Sequence, residues 1–238
     1  LNVVAGWNKP EYDAFGIDLP GDHSDRYAMA QEWFDYVQKL WTADTAFDWD
    51  GNFYQGKGVY SLPHPVQPKM PIINAAGSEE GRVFAMRNAD FLFTPVFDFD
   101  QAKATAADIT ERAASVGRKV DVLTLCTVVC RPTQQEAEDY LNWYAEEQAD
   151  WEAVDNLMTL QGMHAQSFTP EALALYRDRM AAGHGGFPLV GTPDTIADLL
   201  EKLSVAGIAG TTLAFVDYAK EFPYFRQEVL PRLEAKGL

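Results

Sequence analysis

The feature that most constrains this chain is a hydrophobic period that keeps switching. Short β-branched or apolar runs alternate with helix-length stretches from one end to the other. Residues 2–6, 71–77, 89–94, 120–131 and 211–216 read as strands. Between and after them lie helical patterns. Ser24 is placed as the N-cap of a helix with Ala30, Trp33, Phe34, Val37, Leu40 and Trp41 along one stripe. Further helices are expected after Ser78, over 101–116 and over the acidic stretch 133–149. Thr192-Pro193 opens a helix with Ile196, Leu199, Leu200 and Leu203 on one face, ended by Gly207, and a last helix over 221–236 is expected to bend at Pro231. Strands separated by helices pair in parallel through right-handed crossovers, so the fold class is α/β. Five strands do not close a barrel of eight. On the residues alone, an open doubly wound sheet and part of a barrel both stand.

Two segments interrupt the alternation. Residues 43–69 carry an Asp50-Gly51 hairpin signal and then Pro63, Pro65 and Pro68, which reads as an excursion across the end of the main sheet. Residues 150–186 are irregular, with a helix after Thr169-Pro170, and end in Gly183-His184-Gly185-Gly186. An insertion closed by glycines suits a mobile lid.

Charge narrows the partners. Against 19 Lys and Arg stand 35 Asp and Glu, a formal net charge of −16 in 238 residues, which argues against a nucleic acid or an anionic membrane surface. The longest apolar runs, such as Val122–Val129, are far too short to span a bilayer, and no secretory signal is visible. Cys126 and Cys130 lie on one strand, about 13 Å apart at about 3.3 Å per residue, too far for a disulfide. Free thiols suit a reducing cytoplasm. His23, His64, His164 and His184 are scattered, with no ligand-like spacing to the cysteines, so no metal site is expected.

Four places could carry chemistry. Gly77-Ser78, where a strand passes into a helix, offers free N–H groups, a hydroxyl and the positive helix end to a phosphate monoester; Ser78 could equally be a plain N-cap. Arg26-Tyr27 could add a bidentate guanidinium and a phenol, or be a solvated arginine beside a core tyrosine. Trp7 and Asn8 follow the first strand, where a tryptophan could wall a planar ligand or simply pack a loop. His184 could donate a proton near neutral pH, or be incidental.

The order and spacing of the segments carry more than any one of them. Asn2-Val3-Val4-Ala5-Gly6-Trp7-Asn8-Lys9-Pro10-Glu11-Tyr12, Asp25-Arg26-Tyr27, Phe47 with Gly51-x-Phe53-Tyr54, Pro63-x-Pro65-x-Gln67-Pro68, Ala76-Gly77-Ser78 and Pro188-Leu189-Val190-Gly191-Thr192-Pro193 occur in sequence. Together they resemble the luciferase-like flavin-dependent monooxygenases, most of all the pyrimidine (uracil) monooxygenases and next the alkanesulfonate monooxygenases. The resemblance runs over essentially all 238 residues.

It implies a single domain of TIM (β/α)8 type in which residue 1 falls at the fourth strand, so that about strands 4–8 are present. It implies that Asn2 and Glu11 lie near the flavin, and that Arg26, Tyr27, Gly77 and Ser78 hold FMN, mainly its phosphate. Trp7 and Asn8 would border the ring or the substrate, and His184, Gly185 and Gly186 would close over it. The alkanesulfonate enzymes resemble this chain around 184–186 but carry an arginine where His184 stands, so a guanidinium for a sulfonate is lacking here. The implied activity uses reduced FMN, supplied by a separate NAD(P)H-dependent reductase, and O2 to oxygenate a small organic substrate in a cytoplasmic homodimer or higher homo-oligomer. A deazaflavin-dependent reductase or dehydrogenase on the same barrel, and a non-catalytic flavin-binding subunit, are the alternatives.

Overall fold

Parallel pairing, which the alternation of periods predicts, is what the strands outside the 47–59 hairpin adopt. The computed structural model describes residues 1–6, 8–75, 77–162 and 169–238. They form two units, Leu1–Leu92 with Arg112–Val120, and Phe93–Glu111 with Asp121–Leu238.

The first unit contains β1 (Asn2–Val3), α1 (Lys9–Ala14), α2 (His23–Thr42), β2 (Phe47–Asp50), β3 (Gln55–Val59), β4 (Ile73–Ala75), α3 (Glu79–Asn88) and β5 (Phe91–Phe93). β1 and β4 are parallel, with Asn2 opposite Ile73 and Val3 opposite Asn74. Side chains alternate along a strand, so Val3 and Asn74 share the buried face while Asn2 and Ile73 share the other. Asn74 is fully buried and donates from Nδ2 to the Val3 carbonyl at 2.7 Å. Phe34 of α2 meets Phe84 of α3 edge-on at 6.1 Å between ring centroids, and both are buried. Burying such a ring contributes roughly 1.5–3 kcal/mol, which is what ties these two helices together.

β2 and β3 form the expected hairpin, with Asp50 opposite Gln55. Its loop is held by one side chain of α2. The Glu32 carboxylate accepts from the backbone N–H of Asn52, Phe53 and Tyr54 and from the Trp49 indole, the shortest of these 2.8 Å. A Cβ on Gly51 would fall 1.9 Å from Glu32 Oε1, so only glycine leaves room for this contact.

The second unit follows with α4 (Phe99–Ser115), whose end from Arg112 onward belongs to the first unit, β6 (Asp121–Cys130), α5 (Gln134–Asn142), a π-helical turn (Trp143–Glu147), α6 (Trp151–Leu160), α7 (Pro170–Gly183), β7 (Phe187–Gly191), α8 (Pro193–Val205), β8 (Ile208–Ala214), α9 (Tyr218–Glu228) and α10 (Leu230–Lys236). β6 is its spine. Residues Cys126–Cys130 pair in parallel with β7, and Val122–Thr127 pair in parallel with β8. Cys126 and Thr127 pair with both, so one partner lies on each edge. Val122, Cys126 and Val128 are buried on one face of β6. Both cysteines are free, and burial pushes each thiol up to about 11. Among the described residues no helix is long and apolar enough to cross a membrane.

The structure departs from the sequence reading in five places. Asp22, not Ser24, occupies the N-cap of α2. Residues 9–14, expected as loop, form α1, with Pro10 in its first turn where the missing N–H costs nothing. Residues 151–160, expected as irregular, form α6. Phe187–Gly191, read as part of a loop, is strand β7; its Pro188 is tolerated because β7 has no second strand partner among the described residues. The single bent C-terminal helix is two helices meeting at the buried Val229, with Pro231 in the first turn of α10.

The Glu32 anchor has a measurable consequence. Burial raises its carboxyl pKa, but the Tyr54, Phe53 and Asn52 N–H groups and the Trp49 indole outweigh this and hold it below the ordinary value. A depressed pKa means the anchor is complete above the unfolded carboxylate value of about 4.3 and is lost as pH falls through the folded value. Glu32→Gln is therefore expected to lower the protection of the Asn52, Phe53 and Tyr54 amides against exchange at pH 7 and to remove the loss of that protection on acidification, leaving the β6 amides unchanged. Unchanged exchange at those three amides would refute the anchor.

Candidate functional site

In the first unit, β4 stops at Ala75 and the chain turns into α3 through Gly77 and Ser78. Ser78 is extended, with φ −81° and ψ 161°, and its Oγ accepts from the Gly81 N–H at 3.2 Å. It is therefore an N-cap, as the plain reading held, yet it has a second neighbour. Tyr27, from the first turns of α2, lies near enough to Ser78 for the two to interact electrostatically. Burial raises the Tyr27 pKa most strongly, Ser78 lowers it, the Glu80 charge raises it and the Arg26 charge lowers it. The net effect is upward, so the phenol is a neutral donor across the physiological range. Tyr27 and Ser78, far apart in sequence, are thus brought near each other by the packing of α2 on α3, and Arg26 is the helix neighbour of Tyr27.

The charges around them are mixed. Glu79 and Glu80 occupy the first turn of α3, where an anion would meet them. Glu79 is taken up by the Arg112 guanidinium, which draws its carboxyl pKa down. Glu80 keeps its field on Tyr27. Arg26 Nε is buried with no hydrogen-bond partner. A Cβ on Gly77 would meet nothing within 4 Å, so the space in front of this backbone is open.

The remaining expected residues of this unit lie after β1. Asn2 is exposed on β1, and Glu11 is exposed in the first turn of α1. Asn8 stands at the N-cap of α1 without capping it, and its Oδ1 is buried without a partner. Trp7 lies outside the described residues, as do Ala76 and His164.

His184, Gly185 and Gly186 belong to the second unit and form the end of α7. His184 is left-handed, with φ 55° and ψ 35°, and among the described residues it alone does this without being glycine. Its N–H and that of Gly185 bond back to the Met180 and Arg179 carbonyls, at 3.1 and 3.0 Å. Thr127 of β6 donates to the Gly183 carbonyl at 3.2 Å. The glycines are required here by close approach, since a Cβ on Gly186 would sit 2.6 Å from Thr127 Oγ1 and 3.1 Å from its backbone nitrogen.

Sequence reasoning missed two residues of this region. One is Thr127, buried in an apolar strand. The other is Arg179, whose Nη1 and Nη2 donate to the Val96 and Phe97 carbonyls at 3.1 and 2.8 Å. A threonine within a β-branched run gave no signal. Arg179 looked like any helix-surface cation, because carbonyls distant in sequence are what bury it.

The family model for luciferase-like monooxygenases matches residues 1–210. The chain belongs to that family. Its relatives include an FMNH2-dependent dimethylsulfone monooxygenase of Pseudomonas putida, 31% identical over 97% of this chain and 64% of that protein. Another is the pyrimidine monooxygenase RutA of Yersinia enterocolitica, 30% identical over 100% of this chain and 65% of that protein. The chain therefore spans about two thirds of the length of such relatives, 64% and 65%. The crystal structure of DmoA from Hyphomicrobium sulfonivorans superposes with a TM-score of 0.83 at 23% identity, over 99% of this chain and 61% of that one. The expected fold, a parallel α/β arrangement of the luciferase-like TIM-barrel type matched over part of its length, is the fold found.

For this family member, Gly186→Ala is expected to lower stability by about 1–3 kcal/mol through overpacking against Thr127. Thr127→Ala should recover only part of that loss, because the backbone nitrogen remains. Thermal or urea melts of the two single variants and the double variant measure the coupling; simple additivity would show that the two do not meet.

Proposed function

We propose that the protein is an FMN-dependent monooxygenase. It takes reduced FMN from a separate NAD(P)H-dependent flavin reductase and uses O2 to oxygenate a small organic molecule. The observation that carries this reading is the approach of Tyr27 to Ser78 beside the open backbone of Gly77, in a chain whose relatives include a protein named as FMNH2-dependent.

The residues present fit the phosphate of FMN. A phosphate monoester is chiefly an acceptor, and the site offers a neutral phenol, a serine hydroxyl and the first N–H groups of α3, with the Arg26 guanidinium next to Tyr27 as the cation of the reading. Reduced FMN supplies the electrons for the reaction with O2. The protein groups bind and orient: Asn2 and Glu11 flank the flavin, and Trp7 and Asn8 border the ring or substrate. The unmet acceptor at Asn8 Oδ1 supports that role for Asn8.

His184 is the proton donor in this reading, with Gly185 and Gly186 closing over the substrate and residues 150–186 acting as the lid. A histidine held in a left-handed turn between glycines supports it, since such strain is a mark of functional positions. The reading also makes the protein a cytoplasmic homodimer or higher homo-oligomer.

Oxygen uptake by the full protein with reduced FMN and a panel of small sulfones and pyrimidines tests the activity. Arg26→Met is expected to weaken reduced-FMN binding at least about tenfold, the value of one charge-assisted hydrogen bond, and Ser78→Ala a few-fold. Wild-type affinity in Arg26→Met would exclude the phosphate site.

A further inference from the structure

The turn that closes α7 runs from Gly183 to Gly186 and carries a single side chain, that of His184. The other three positions are walled by the second unit itself. A Cβ on Gly183 would fall 2.5 Å from Thr127 Oγ1, one on Gly186 2.6 Å from the same atom, and one on Gly185 2.9 Å from Tyr176 Oη. His184 alone of the four is exposed. It also stands where a side chain is awkward, because in the left-handed region its Cβ crowds the following carbonyl, a cost that glycine escapes. A turn already built from three glycines thus keeps a histidine at its one open position.

Two hydroxyls from elsewhere in the unit hold this turn. Tyr144, in the π-helical turn after α5, donates to the Ala182 carbonyl at 2.9 Å, across 38 residues of sequence. Thr127 of β6 donates to the Gly183 carbonyl at 3.2 Å. These carbonyls belong to the two residues before His184, at a helix end where carbonyls lose their intrahelical partners. The N–H groups of His184, Gly185 and Gly186 return to the Met180, Arg179 and Gly183 carbonyls. With both sets engaged, the backbone under the imidazole is fixed.

Tyr144 is suited to its part. Its phenol must stay protonated to donate, and burial first, then the charge of Glu221, raise its pKa. Glu221 is itself held by Arg131, whose Nη2 donates to Oε1 at 2.7 Å. Single π turns inside helices, such as the one that carries Tyr144, recur at functional sites. We propose that Tyr144 and Thr127 are positioning residues for His184, clamping the Ala182 and Gly183 carbonyls so that the imidazole is in place before the substrate arrives. The assignment rests on the reading of His184 as proton donor. A donor held ahead of the reaction spares the entropy of placing it during the reaction.

Tyr144→Phe and Thr127→Ala each remove one clamp, while Thr127→Ser keeps the hydroxyl. Amide exchange of the full protein is expected to show protection at His184 and Gly185 lowered about fivefold in each of the first two, the worth of one ordinary hydrogen bond. Thr127→Ser should keep that protection, and the α8 amides should not change in any of the three. In oxygen uptake with reduced FMN and the sulfone and pyrimidine panel, kcat is expected to fall by a similar factor in Tyr144→Phe and Thr127→Ala, to recover in Thr127→Ser, and KM for reduced FMN to stay unchanged. Unchanged protection at His184 and Gly185 in both clamp variants would overturn the proposal. So would a kcat that falls in His184→Gln yet keeps its wild-type value in both clamp variants. Full kcat in His184→Gln would instead overturn the donor reading, and the assignment with it, whatever the exchange shows.

Discussion

Parallel pairing is the constraint on which the rest of the structure depends. A parallel strand cannot return through a tight turn, so each strand must be followed by a crossover, here mostly helical. That rule puts the end of a strand beside the start of a helix each time the chain passes. Free N–H groups and side chains of the connecting segments then gather at one end of each pair of strands. The segment from β4 through Gly77 and Ser78 into α3 is one such place. The end of β6 at Arg131 beside the start of α9 is another. Function collects at these positions because the topology leaves unpaired polar groups there.

The accounting of polar groups separates scaffold from site. Glu32 receives three backbone N–H donors and an indole, and Arg179 covers two carbonyls. These side chains hold loops, Glu32 with its carboxylate saturated and Arg179 with its own Nε buried and unpartnered. Arg26 Nε and Glu221 Oε2 are likewise buried without a partner. An orphan atom alone singles out nothing, since Asn74 Oδ1 and Thr124 Oγ1 also lack partners among the described residues. What distinguishes the start of α3 is Tyr27 near Ser78 beside an open backbone at Gly77.

Much of this was legible in the sequence, and for identifiable reasons. The stripe of α2, the Ser78 cap, the hairpin at Asp50-Gly51 and the β-branched run of β6 are local signals, and each appears in the structure. The luciferase-like family could be recognised because several weak motifs keep their order. Strand β7 was hidden by Pro188, which local rules set against a strand and which an edge position permits. Helix α1 was hidden because Pro10 reads as a turn residue unless it falls in a first helical turn. The Arg131 and Glu221 pair was invisible, because 90 residues separate the two and only the meeting of α9 with the end of β6 joins them.

The central claim is that the junction of β4 and α3, with Arg26 and Tyr27, binds the phosphate of a flavin. Titrating the full protein with FMN and with riboflavin under identical conditions tests it most directly, because the two differ only in that phosphate. FMN should bind at least about tenfold more tightly than riboflavin, with the advantage shrinking as salt screens the phosphate contact. Equal affinity for the two flavins would contradict the account.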